Sequence, residues 1–284
     1  MSHQTIIDSS TVDAHLDDPD WVFVDCRFDI KDPERGEREY RQAHVSGAVY
    51  AHLDRDLSGP VVRGKTGRHP LPEPKALETT FTALGIGRRT RVVAYDESTG
   101  AMAAARLWWL LKWAGHDAVA VLDGGFRKWC AEGLSYSTGA EVKAPNRFNA
   151  AIRPEMAVDA AAVLSILADP AWVVLDARAA DRYQGLNETV DPVAGHIEGA
   201  FSAPYAHNLR DDGTFKSQHE LADIYAEATR GRDTSHTVLY CGSGVTAAHS
   251  VLAIAHAGMG MPRLYPGSWS EWITDPSRPI ERSA

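Results

Sequence analysis

The second half of this chain repeats the first, and that constrains its fold more than any other feature. Trp21-Val22-Phe23-Val24-Asp25-Cys26-Arg27 resembles Trp172-Val173-Val174-Leu175-Asp176-Ala177-Arg178, an apolar run ending in Asp-x-Arg, at an offset of 151 residues. His44-Val45-Ser46-Gly47-Ala48 matches His196-Ile197-Glu198-Gly199-Ala200 at an offset of 152. Val92-Val93-Ala94-Tyr95-Asp96 matches Thr237-Val238-Leu239-Tyr240-Cys241 at 145, and Gly124-Gly125-Phe126 before Trp129 matches Gly267-Ser268-Trp269 before Trp272 at 143. Four anchors in one order at nearly constant separation indicate that a single unit was duplicated. The 284 residues suit two domains of ordinary size. The expected layout is an N-terminal domain over 1–138, a linker over 139–154 containing Gly139, Pro145, Asn146 and Pro154, and a C-terminal domain over 155–284.

Within each half, short β-branched and apolar runs alternate with helical spacing. Residues 21–25, 91–95, 119–122, 172–176 and 237–240 read as strands, and 76–84, 103–114, 158–167 and 220–228 as helices. Such alternation implies right-handed crossovers and a mostly parallel sheet flanked by helices, so the fold class is α/β, twice over. The most apolar stretch, 101–115, is interrupted by Arg106 and Lys112 and falls short of the ~18 residues that cross a bilayer, so it reads as a buried helix.

Charge and cysteine usage narrow the function. With 29 Lys and Arg against 38 Asp and Glu, the net charge is −9, and no basic patch stands out. Such a surface repels phosphate backbones and anionic lipid, which argues against nucleic-acid and membrane partners. The three cysteines, Cys26, Cys130 and Cys241, form neither a disulfide framework nor a zinc-ligand spacing. The first residues lack a basic start followed by an apolar run, so the expected location is the cytoplasm.

In parallel sheets the ligand site lies beyond the carboxyl ends of the strands. The strand over 237–240 runs into Cys241-Gly242-Ser243-Gly244-Val245-Thr246, and Val245, Ala248, Leu252 and Ala255 then give helical spacing up to Gly258. A cysteine at the mouth of a glycine-rich turn before a helix N-terminus faces converging N–H groups and a partial positive charge, which favour its thiolate. Three readings compete. The turn could be structural, with an inert cysteine. Gly242-x-Gly244-x-x-Ala247 also fits a dinucleotide fingerprint, although the next strand end, Leu264-Tyr265-Pro266, offers no carboxylate for a ribose. Finally, Cys241 could be a nucleophile; a cysteine phosphatase would place an arginine where Ala247 stands.

Taken together, the duplicated halves, the two His-x-x-Gly-Ala segments, the Gly-Ser-Trp-x-x-Trp ending and the loop Cys241-Gly-Ser-Gly-Val-Thr-Ala247 resemble a two-domain rhodanese-family sulfurtransferase. The loop is closer to the 3-mercaptopyruvate form than to the thiosulfate form, Cys-Arg-Lys-Gly-Val-Thr. The resemblance implies a covalent persulfide on Cys241 and no other cofactor. It implies a small-molecule sulfur donor and a thiophilic acceptor such as cyanide, a small thiol or thioredoxin. Residues Gly242, Ser243, Gly244, Val245 and Thr246 would cradle the persulfide anion. The 3-mercaptopyruvate branch implies a relay made of Ser243, His69 and Asp54. It also implies a carboxylate clamp of two arginines, of which Arg182 matches the first, while the second, sought within 187–191, has no counterpart. Asp96 stands where the first half would carry a nucleophile. The alternatives are a thiosulfate:cyanide sulfurtransferase and, from another class, a non-catalytic sulfur-sensing or binding module of the same fold.

Several prominent residues read as structural. His44 and His196 recur in both halves although only one half has a nucleophile, and the same logic covers Asp25, Asp176, Arg27 and Arg178. Trp108 and Trp109 read as core, and Cys26 and Cys130 as bystanders.

Overall fold

The strands over 21–25 and 91–95 are buried along nearly their whole length, as a sheet covered on both faces requires. The structure is a computed structural model and describes residues 5–282. It divides into two units. Unit 1 runs up to Gly59, then Pro72–Arg153 and Asp211–Phe215; unit 2 comprises Pro60–Leu71, Pro154–Arg210 and the chain from Lys216 onward. The partition therefore differs from a single cut at the linker: 60–71 groups with the C-terminal unit and 211–215 with the N-terminal one.

Unit 1 contains β1 (Ile6–Ile7), β2 (Trp21–Asp25), β3 (His44–Val45), β4 (Val49–Tyr50), β5 (Arg91–Tyr95), β6 (Val119–Leu122) and β7 (Tyr136–Ser137). Its helices are α1 (Ser9–Asp13), α2 (Arg35–Gln42), α3 (Leu53–Asp56), α4 (Pro74–Ala83), α5 (Ala104–Trp113) and α6 (Gly125–Ala131). Five strands form a parallel sheet in the order β1-β6-β5-β2-β4, with Val22 opposite Val92 and Val93 opposite Ala120. An antiparallel pair, β3 and β7, stands apart.

Unit 2 contains β8 (Val173–Asp176), β9 (His196–Ile197), β10 (Phe201–Ser202), β11 (Thr237–Tyr240), β12 (Arg263–Leu264) and β13 (Ile280–Glu281). Its helices are α7 (Ala160–Leu167), α8 (Ala180–Gln184), α9 (Gln218–Ala228), α10 (Thr246–His256) and α11 (Ser268–Trp272). The parallel sheet runs β10-β8-β11-β12, and Ala157 bridges Leu264 where unit 1 has β1. The antiparallel pair recurs as β9 and β13. Strand for strand, the two units share one topology.

The repeated polar residues perform the same structural task in each copy. Arg27 grips the Asp25 carboxylate through Nε and Nη2 and donates to Ala43 O; Arg178 does the same with Asp176 and Gly195 O. His44 Nδ1 lies 2.7 Å from Tyr40 O with the rings stacked, and His196 Nδ1 lies 2.8 Å from Tyr183 O, again stacked. Each buried carboxylate is met by its arginine and each histidine Nδ1 by a backbone carbonyl, as burial of polar groups requires. The apolar stretch 101–115 contains α5, buried at all ten positions, Trp108 and Trp109 included. Lys112 is accommodated in this setting by donating to Asp117 O at 2.9 Å. Among the described residues no helix is long and apolar enough to cross a membrane.

Candidate active site

Unit 2 builds its site at the carboxyl end of β11. Cys241, the next residue, is buried. Its carbonyl accepts from Trp269 N–H at 3.0 Å, and its own N–H donates to Ser268 Oγ at 3.1 Å, so the residue bearing the thiol is tied on both sides to the first turn of α11. The chain then curls through Gly242 to Val245 and enters α10 at Thr246. No side chain caps this helix, and a helix N-terminus of that kind suits an anion. Gly244 makes the curl possible. Its φ is +76°, and a Cβ there would lie 2.3 Å from Pro266 O.

Two further groups reach this loop from 60–71. Thr66 N–H closes a turn on Val62 O at 3.0 Å, Gly67 packs so tightly that a Cβ would lie 2.5 Å from Gly267 O, and Arg68 N–H donates to Ser270 Oγ at 3.1 Å. Thus anchored, the segment presents His69 with Nδ1 2.7 Å from Ser243 Oγ, both side chains buried. Asp54 belongs to unit 1, in the first turn of α3, where its N–H donates to His52 Nδ1 at 3.1 Å. The loop, Ser243, His69 and Arg182 thus belong to one unit, and Asp54 to the other.

The cationic part of the site departs from the sequence expectation. Gly242 faces two guanidiniums: a Cβ there would lie 2.8 Å from Arg68 Nη2 and 3.7 Å from Arg182 Nη1 and Nη2. Arg68 thus brings a second guanidinium beside Gly242, which 187–191 does not supply. That segment instead supplies carboxylates. Glu188 accepts from Arg182 Nε at 3.0 Å and from Nη2 at 2.9 Å, and Asp191 accepts from Arg182 Nη2 at 3.1 Å and from Arg68 Nη1. Burial works against ionised Glu188, yet the N–H groups of Asp191 and Val190 and the Arg182 guanidinium hold its carboxyl below the usual range. For Asp191 burial wins over Arg68 and Arg182, and its carboxyl is pushed up. The signal for Arg68 was present in the sequence as the residue before His69. A segment that delivers one side chain to a site delivers its neighbour close by.

Unit 1 has the same turn with a carboxylate in place of the thiol. Asp96 occupies the position of Cys241, and its carboxylate accepts from the N–H groups of Gly100 at 2.8 Å, Met102 at 2.9 Å and Ser98 at 3.3 Å. Its own side chain fills the anion cradle. The other cysteines sit apart from any such turn in unit 2: Cys26 is buried, its thiol pushed well up by burial and by Asp25, Asp96 and Asp56, while Cys130 is exposed.

The Rhodanese-like domain family matches residues 8–132 and 159–275, one copy per unit. The chain belongs to the rhodanese family. A Pseudomonas aeruginosa protein provisionally named as a 3-mercaptopyruvate sulfurtransferase is 45% identical over 281 residues, 99% of each chain. A Mycobacterium tuberculosis protein provisionally named as a thiosulfate sulfurtransferase is 39% identical over 264 residues, 91% of this chain and 90% of its own. Among solved structures, the 3-mercaptopyruvate sulfurtransferase of Leishmania major superimposes with a TM-score of 0.83 at 35% identity, covering 95% of this chain and 74% of that one. This chain is accordingly a tandem rhodanese-family sulfurtransferase, an enzyme with a small-molecule sulfur donor and a thiol acceptor.

Proposed function

We propose that the enzyme takes sulfur from 3-mercaptopyruvate, stores it on Cys241 and passes it to a thiophilic acceptor: cyanide, a small thiol or reduced thioredoxin. The Cys241 thiolate attacks the donor sulfur. The S–S bond forms as the C–S bond breaks, and the electron pair leaves with carbon as the enolate of pyruvate, which takes up a proton. In the second half-reaction the acceptor attacks the outer sulfur and the Cys241 thiolate departs. Covalent storage splits one transfer into two easier ones, and no other cofactor is needed. The N–H groups of 242–246 hold the charge on the persulfide.

The observation that carries this donor is the pairing of Arg68 and Arg182 across Gly242, beside Ser243 and His69. Two guanidiniums suit one carboxylate. The Ser243 hydroxyl, on His69, offers a proton path to the enolate. Around the clamp, Arg68, Arg178 and Arg182 are balanced by Asp176, Glu188 and Asp191, so the site carries no surplus positive charge for a dianion. Thiosulfate, a dianion, is therefore the weaker donor. A reducing compartment such as the cytoplasm would keep Cys241 reduced between cycles.

The test compares kcat/KM for 3-mercaptopyruvate and thiosulfate in one preparation, with cyanide as acceptor. The expected result favours 3-mercaptopyruvate by at least about tenfold. A preference for thiosulfate would overturn the donor assignment while leaving the family intact.

A further inference from the structure

Ser268 adopts a conformation that serine rarely takes. Its φ is +55°, in the left-handed region, and it is fully buried. The duplication supplies the control. The matching residue of unit 1 is Gly125, with φ +60°, where a Cβ would lie 2.6 Å from Asp96 O and 2.8 Å from Ser98 N. The turn thus has the same left-handed shape in both copies, and glycine adopts it without strain. In both copies the following residue grips the turn's first carbonyl: Phe126 N–H donates to Asp96 O at 2.9 Å, and Trp269 N–H to Cys241 O at 3.0 Å. Only the copy with the nucleophile replaces glycine by a residue with a side chain. That hydroxyl accepts from Cys241 N–H at 3.1 Å and donates to Tyr265 O at 2.9 Å, a bridge that glycine cannot make.

We propose that Ser268 is a positioning residue for Cys241, its left-handed strain retained because its hydroxyl fixes the peptide from which the nucleophile projects. Ser268 holds the N–H of the 240–241 peptide and Trp269 the carbonyl of the 241–242 peptide, so the two peptide planes that flank the Cys241 Cα are both fixed. The direction of Cα–Cβ, and with it the place of Sγ among the N–H groups of 242–246, follows. The inference rests on Cys241 being the sulfur-carrying nucleophile, and it concerns a group that touches neither donor nor acceptor.

Two full-length variants test it, Ser268→Gly, which relieves the backbone, and Ser268→Ala, which keeps the strained backbone and loses the hydroxyl. Four quantities are measured: melting temperature, donor KM, rate of Cys241 persulfide formation, and the pH profile of Cys241 alkylation by iodoacetamide, read by mass. For Ser268→Gly the expected melting temperature equals or exceeds that of the native enzyme. Its persulfide formation slows about tenfold at unchanged KM, as expected for a slightly misplaced nucleophile. Its alkylation midpoint moves to higher pH, because Sγ loses part of the loop's electrostatic support. Ser268→Ala shows the same two changes with a lower melting temperature. A Ser268→Gly enzyme with a persulfide rate within about twofold of native, or with an unchanged alkylation profile, would overturn the proposal. Alkylation reads Cys241 without any sulfur donor, so it still decides the role of Ser268 if the persulfide itself is never observed.

Discussion

Arg68 has no obvious partner in the sequence, and in the fold it meets three groups at once. Its main-chain N–H holds Ser270, its Nη1 meets Asp191, and its Nη2 overlooks Gly242. Charge-assisted contacts of a guanidinium with a carboxylate contribute about 1.5–3 kcal/mol. Replacing Arg68 by Ala should raise the KM for 3-mercaptopyruvate by at least about tenfold and leave the rate at which preformed persulfide passes to cyanide unchanged. Steady-state kinetics and a single-turnover acceptor assay measure the two separately; an unaltered KM would remove Arg68 from the clamp. The residue escaped the sequence reading because its pairing with Arg182 across Gly242 is defined in space. Arg182 and Arg68 are 114 positions apart in the chain, and what joins them is the turn that sets 60–71 against 267–271. Ser268 was hidden for a different reason: a φ of +55° leaves no mark in composition, and only the glycine at the equivalent position of the other copy exposes it. The turn that carries Cys241, by contrast, was legible, since it is built from consecutive residues between one strand and one helix.

At the level of elements, the strand-turn-helix unit around Cys241 and its copy around Asp96 answer one problem in two ways. Several N–H groups converge on the turn and need an acceptor. In unit 2 the residue at that position is Cys241, and in unit 1 they close on the Asp96 carboxylate. Burial drives the Asp96 carboxyl up against the pull of those N–H groups, so it is held in place by hydrogen bonds and opposed by desolvation. Orphaning buried donors costs about 1–3 kcal/mol. Asp96→Ala is therefore expected to lower thermal stability by about 2 kcal/mol while kcat/KM stays within about twofold of native. Loss of activity without loss of stability would show that unit 1's turn takes part in the chemistry. The central strands were legible from their apolar runs, with 21–25, 91–95, 119–122 and 237–240 found at those bounds. Two-residue strands such as β4 and β10 were not, because so short an element is fixed by its neighbour in the sheet and carries no period of its own.

Duplication gave the whole molecule two copies of one topology, with matching Asp-Arg pairs and matching His-Tyr stacks, but only one cysteine in a cradle. The interior that these repeats stabilise is also what makes Cys26 a poor nucleophile. Cys26 follows β2 at the end of unit 1's sheet, beside the acids Asp25 and Asp96, and burial pushes its thiol well above the usual range. Cys130, in α6, is exposed, and its thiol is also raised, by desolvation first. A thiol that stays protonated neither attacks a donor nor holds a persulfide anion. Treating the full chain with 3-mercaptopyruvate in the absence of acceptor should accordingly load one sulfur atom per chain, as read by intact-protein mass. The Cys26→Ala/Cys130→Ala double variant should load the same amount, and Cys241→Ser should load none. Two sulfur atoms per chain, or loading that survives Cys241→Ser, would mean that the first copy of the fold had kept a function that its carboxylate-filled turn argues against.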